Sequence, residues 1–273
     1  MANTENLKAV KTLEMEFNVL PTTGGLAQMY TRLSLIMPNL RAMSAITQPK
    51  ASYQPSIMRC VRPDNGLKAI RTVGVYKNVD WEFILHATSR ETKNLEYVSI
   101  RNGMHNSQLY QTMLRNMPRL AAIRLEGLAV DDPTLRCLLV DTDHPIKHFC
   151  ADWVIADMAK FFASYRVSSL VTLCLGGCAV TDNVLAKMAT NSSLVNIVNM
   201  ALSGSFTMAG IKLLAENRHL RSLQRLVLAS SVPLDVAAVT DMFNSSPVLS
   251  SLAFLDVGLD ANIQQSDFCD EDL

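Results

Sequence analysis

The sequence has no net charge: 25 Lys and Arg balance 25 Asp and Glu over 273 residues. With no basic run either, a dominant electrostatic attraction to nucleic acid or to an anionic membrane is excluded. No window approaches the ~18 consecutive apolar residues that a membrane span needs. The opening MANTENLKAVKTLEMEF lacks a basic flank before an apolar core, so it does not read as a secretory signal, and it is too acidic for a typical transit peptide. The six cysteines, Cys60, Cys137, Cys150, Cys174, Cys178 and Cys269, show no disulfide-framework spacing and read as reduced thiols. The Asn191 and Asn244 sequons then carry no meaning. Gly24-Gly25 and Gly176-Gly177 lack phosphate-loop context and read as turns. These absences predict an intracellular protein, cytoplasmic or organellar and not secreted, with no cofactor.

What is present is apolar: 49% hydrophobic side chains, enough to bury a large interior. A neutral, greasy chain is poorly protected against self-association, which favours a subunit held in a larger assembly. One stretch organises the rest, Leu170 to Leu194. Leu170, Leu173 and Leu175 have the spacing of a short strand, and Cys178 and Val180 close the turn after it. Thr181-Asp182 supply helix-start chemistry, and Val184, Leu185 and Met188 make a helical stripe before Leu194 restarts the pattern. The same L-x-x-L-x-L template is anchored at Val10, Leu40, Ile70, Leu95, Leu120, Ile146, Leu170, Leu194, Leu223 and Leu249. The intervals are roughly 24 to 30 residues. LKAVKTLEMEFNV at Leu7–Val19 and LKAIRTVGVYKNV at Leu67–Val79 share six identities, direct evidence of internal repetition.

Between anchors the apolar spacing turns helical. The stripes are Leu26, Met29, Leu33 and Ile36; Trp81, Ile84 and Leu85; Leu109, Met113 and Leu114; Val154, Met158 and Phe161; Ile211 and Leu214; and Val236, Val239 and Met242. Pro38, Pro118 and Pro247 end helices and force extended chain into the next strand. Pro49, Pro55 and Pro63 predict an irregular loop over 47–66 in place of a helix. Residues 260–273 are acidic and polar and read as a flexible tail. One unit cannot bury enough apolar surface to hold itself together, so neighbours must stack.

At these residues the chain resembles the leucine-rich repeat superfamily. Leu170–Leu194 is similar to the cysteine-containing, ribonuclease-inhibitor-like repeat of F-box/leucine-rich-repeat substrate receptors. Leu170, Leu173, Leu175, Cys178, Thr181, Asp182, Leu185 and Ala189 match it, with Val180 one place early. The superfamily pattern covers Val10 to about Leu259. The expected fold is an α/β leucine-rich repeat solenoid, with a curved parallel sheet inside, helices outside and about ten repeats in a single domain over 1–259. The resemblance implies an arc that binds proteins. Nothing before Val10 is long enough for an F-box, so the chain alone is not expected to recruit a ligase through one.

Alternate strand residues share a face, so the third, fifth and seventh positions of each unit are expected on the concave side. Its partner-binding candidates are Glu14, Glu16, Tyr76, Tyr97, Arg101, Arg124, Glu126, His148, Asp152, Met200, Arg225, Val227 and Leu255. Tyr and Arg are frequent interface anchors. Val198, Met200, Val227, Ala229 and Leu255 would make an exposed apolar ramp that wants a peptide or helix, unless the chain's own tail covers it. His148, Cys150, Asp152 and neighbouring Cys174, with His144 near, are zinc-ligand types. Their spacing matches no common zinc module, so packing is preferred over a metal site or a Cys–His nucleophile. Trp81 and Trp153 read as core residues on helix faces, and the fourteen methionines as packing.

The expected function is a non-catalytic protein-interaction scaffold that binds one or more proteins, with no nucleic-acid or membrane partner. Two alternatives stand beside it. One is the substrate-recognition subunit of an F-box/leucine-rich-repeat-like ubiquitin ligase with its docking domain missing or on another chain. The other is a leucine-rich-repeat regulator of a GTPase.

Overall fold

The computed structural model describes residues 12–17, 42–47, 56–61, 69–73, 96–101, 110, 111, 114, 115, 117–127, 129–142, 146–246 and 251–258. The chain is α/β and divides into two compact units, Met1–Leu128 and Ala129–Leu273, where a single domain over 1–259 was expected. Contacts that run mostly between successive elements leave such a chain easily divided along its length.

In the first unit, β1 (Thr12–Phe17) pairs parallel with β2 (Ala42–Thr47). β3 (Ser56–Val61) then runs antiparallel to β2 and to β4 (Ala69–Val73), which pairs parallel with β5 (Tyr97–Arg101), and β5 with β6 (Ala122–Glu126). The irregular loop expected over 47–66 is therefore corrected: it contains a strand. Pro55 and Pro63 bracket β3 and do not interrupt it, and SIMRCV between them has a strand composition. The register sets Val98 opposite Ile70, so the unit anchored at Ile70 is three residues out of phase with the one anchored at Leu95. Gly127 leaves β6 at φ 63°, a turn that favours glycine.

In the second unit strands and helices alternate. β7 (His148–Ala151), β8 (Thr172–Thr181), β9 (Asn199–Ser205), β10 (Arg225–Ser230) and β11 (Phe254–Gly258) form one parallel sheet in that order. The helices are α1 (Asp132–Leu139), α2 (Met158–Ser164), α3 (Asp182–Thr190), α4 (Met208–Ala215) and α5 (Val236–Asn244); α2 to α5 pack side by side in succession. Short polar residues cap their starts. Asp131 accepts from Thr134 N, Asp157 from Lys160 N, Thr207 from Ala209 N and Asp235 from Ala238 N.

One sheet face is the core. Phe149, Leu173, Met200 and Leu226 fill one register row and Ala151, Leu175, Leu202 and Leu228 the next; every one is buried. Phe161, Phe162, Val184, Leu185, Met188, Ile211, Leu214, Val239 and Phe243 supply the buried helix side. The α5 stripe is thus Val239 and Phe243, with Val236 exposed, in place of Val236, Val239 and Met242. The stripe expected to begin at Val154 also starts late. Asp157 caps α2, so Val154 lies outside the helix, in an isolated bridge to Val130. Trp153, expected in the core, is exposed there. Gly176-Gly177 lies within β8 and is not a turn, although the ladder slips between Leu175 and Val180. Beyond the slip Val180 pairs with Gly204, where any Cβ would collide with the Val180 carbonyl oxygen.

Two polar devices tie successive strand–helix repeats together within the second unit. Asp182 does not cap its own helix. Its Oδ1 accepts from Thr207 N at 2.8 Å and its Oδ2 from the Thr207 hydroxyl at 2.7 Å. Burial opposes its charge, but the Thr207 hydroxyl and the Thr207 and Gly210 backbone N–H groups outweigh that and hold its carboxyl below the usual range. The other device is Asn191, buried where α3 ends. Its Nδ2 donates to the carbonyls of Phe162 at 2.8 Å and Tyr165 at 3.0 Å, satisfying the end of the preceding helix. Asn217, 26 residues on in the sequence, repeats the device more weakly by donating to Met188 O at 3.3 Å.

Candidate functional site

The sheet face away from the helices is the candidate site, and in the second unit its side chains can be followed row by row. Alternation puts His148, Thr172, Asn199, Arg225 and Phe254 in one register row and Cys150, Cys174, Ala201, Val227 and Asp256 in the next. Ser203, Ala229 and Gly258 continue a third.

The middle row is closed. Cys150, Cys174, Ala201 and Val227 form a small apolar cluster of their own, and both thiols are 0% exposed. Cys and Ala are small enough to sit side by side at the ~4.8 Å strand spacing, and each covers the next. The row opens only at Asp256, on the exposed side of β11.

The first row is polar from His148 to Arg225 and hydrogen-bonded from His148 to Asn199. Asn199 Nδ2 donates to Thr172 Oγ1 at 3.4 Å, and Thr172 Oγ1 lies 3.0 Å from His148 Nδ1. Burial of Thr172 and Asn199 is matched by these bonds. At the far end the Arg225 guanidinium stacks over the Phe254 ring, 5.3 Å from its centroid, while Phe254 remains 44% exposed. Arg225, Phe254 and Asp256 therefore form an open corner: a cation, an aromatic ring and a carboxylate on two adjacent strands.

This geometry sorts the sequence-derived candidates. His148, Arg225 and Val227 lie on the expected face, with Asp152 half-buried just past the end of β7. Val227 is closed in the middle row. Met200 and Leu255 do not lie on that face. They are partners of Leu173 and Leu226, on the helix side. The cause is a phase error in two units. Leu194 lies in the 3-10 turn Ser192–Asn196 ahead of the strand, so the true spacing is Ile197, Met200, Leu202; in the last repeat it is Leu252, Leu255, Val257. The exposed apolar ramp is corrected accordingly, since Met200, Val227 and Ala229 are all buried.

Missed in consequence were Asn199, Phe254 and Asp256. The signal was present: anchoring at Leu194 puts Asn199 in an apolar slot, whereas anchoring at Ile197 puts Leu202 there.

In the first unit the placement comes from backbone register. Glu14 stands opposite Ser44, Glu16 opposite Ile46, Tyr97 opposite Ala69 and Ala122, and Arg101 opposite Glu126. Glu14, Ser44, Arg59, Arg71, Ser99 and Arg124 occupy one continuous row. Arg59 and Arg71 were missed because β3 was read as loop and the Ile70 unit was out of phase. Arg124 is buried. Tyr76 lies outside the described residues.

Comparison of the chain with protein-family models and with curated proteins finds no match to either. Among the described residues, no group of three or more His, Cys, Asp or Glu stands close enough to hold a metal ion, and Cys137, Cys150 and Cys174 are buried and not disulfide-bonded. Among them too, no helix is long and apolar enough to cross a membrane.

Proposed function

We propose that the chain is a non-catalytic protein-interaction scaffold: a leucine-rich-repeat solenoid of about ten units, working as a subunit of a larger assembly. It takes a protein partner on the sheet face away from the helices. The observation that carries this reading is the open Arg225–Phe254–Asp256 corner beside a closed apolar row. A stacked Arg–aromatic pair is already ordered, so docking against it costs little side-chain entropy, and Arg is a frequent binding hot spot. The rest of the described second-unit face is built of small or hydrogen-bonded side chains, a flat floor over which a partner backbone can approach.

Affinity purification of tagged protein, with quantitative mass spectrometry, tests this. Partners recovered with the unaltered protein should fall by roughly tenfold or more with the Arg225→Glu/Phe254→Ser variant, given hot-spot losses of about 2 kcal/mol. An unchanged set of partners would remove the corner from the interface. Ligase components or a single GTPase among the recovered proteins would redirect the assignment to a substrate-recognition subunit or a GTPase regulator.

A further inference from the structure

The reversed strand of the first unit creates a cationic pair. Among the described strand pairs, only those that β3 makes with β2 and with β4 are antiparallel. In the β3–β4 ladder Arg59 stands directly opposite Arg71, with about 5 Å between Cα atoms. Like charges placed directly opposite destabilise a strand pair. Charge is often put on an edge strand to block aggregation, but that does not account for these two arginines. Both β3 and β4 are paired with a strand on each side.

No register position next to the pair carries a carboxylate. Ser44 and Ser99 flank it along the row, and Ile57, Val61, Ala69 and Val73 flank it along the two strands on the same face. The acidic positions of that face, Glu14 and Glu16 on β1 and Glu126 on β6, stand two strands away, about 10 Å. A phosphorylated side chain brings about two negative charges and three acceptor oxygens, enough for both guanidinium groups, whereas a carboxylate brings one charge. A polyanion fits this face less well, because its further phosphates would run into the glutamates at either end. We propose that Arg59 and Arg71, set opposite each other by the reversed strand, bind the phosphate of a phosphorylated serine or threonine in a partner protein. The apolar positions beside the pair favour apolar residues next to the phosphorylated one. The site lies in the first unit and does not rest on the Arg225–Phe254–Asp256 corner of the second.

A degenerate phosphoserine peptide library passed over the immobilised full chain, beside the same library carrying serine, tests the assignment. Phosphopeptides should be retained roughly tenfold or more over their serine counterparts. Arg59→Met and Arg71→Met, which keep the apolar stem and remove the charge, should each bring that ratio close to one. Arg225→Glu/Phe254→Ser should leave it unchanged, which separates failure here from failure of the open-corner reading. Inorganic phosphate should raise the thermal unfolding midpoint of the parent and not that of Arg59→Met. Without phosphate, Arg59→Met should melt no lower than the parent, because it relieves the repulsion. Equal retention of the two libraries, or an Arg59→Met variant that melts lower without phosphate, would overturn the proposal. So would capture of oligothymidine or of phosphoinositide vesicles through Arg59 with no phosphopeptide retained, which would give the pair to nucleic acid or to a lipid headgroup.

Discussion

Val227→Asp is expected to destabilise the second unit by about 4 kcal/mol or more, a large share of the roughly 5–15 kcal/mol that holds a typical domain. Val227 closes the middle row against Ala201 and lies 6% exposed. A carboxylate there would lose its hydration with no cation in its row. Its register partner on the other side is Asp256, so it would also face a like charge. Urea unfolding followed by circular dichroism measures the loss. The signature is its pH dependence: the damage should shrink as the pH falls and the new carboxyl protonates, because burial raises its pKa. Val227→Thr, nearly isosteric, should cost only about 1–2 kcal/mol. A variant that unfolds like the parent would mean that the middle row is open to water.

Asn191→Ala is the second large effect, about 3 kcal/mol. The amide donates to two carbonyls at the end of α2, and its Oδ1 accepts from Ser193 N at 3.0 Å and from the Ser193 hydroxyl at 2.6 Å. Ser193 Oγ in turn accepts from Val167 N at 2.9 Å, so the network joins two successive repeats of the second unit. Deleting the side chain strands several buried polar groups together. Asn191→Asp should be at least as damaging, because it keeps the acceptors but turns a carboxylate towards the Phe162 and Tyr165 carbonyls. Asn217 has the same place in the next unit but only the 3.3 Å bond to Met188 O and the 2.9 Å bond from His219 N. Asn217→Ala should therefore cost about half as much as Asn191→Ala, and thermal melts of the two variants give the ranking. A reversed order would mean that the networks do not carry the load assigned to them.

These residues show what the sequence could and could not reveal. Leu170, Leu173 and Leu175 announced a strand with one buried face, because apolar spacing records burial directly. The helices from α3 onward followed from the same logic, and α3 also from its polar start at Thr181-Asp182. Asn191 was invisible as a clamp. It reads locally as part of an ordinary sequon, and its partners lie 26 and 29 residues away. Only the recurrence of an asparagine at 217 hinted at a structural role. Phase was the other weak point. Leu194 fits the template as well as Ile197 until the 3-10 turn that contains Leu194 is known, and a three-residue error moves every odd position onto the wrong face. Trp153 failed for a related reason. Val154, Met158 and Phe161 have helical spacing, but Asp157 caps the helix and leaves Trp153 on an exposed extended edge. The site suffered more than the fold, since a fold survives a phase error that a list of exposed residues does not.

The central claim is that the middle row of the second unit's sheet face is closed, so that on this face a partner meets the Arg225–Phe254–Asp256 corner. Maleimide labelling of the native protein, mapped by mass spectrometry to each cysteine, tests it most directly. Cys150 and Cys174 should stay unmodified under native conditions and become labelled only when urea unfolds the second unit. Labelling of either at the rate of a free thiol in the folded protein would contradict the account.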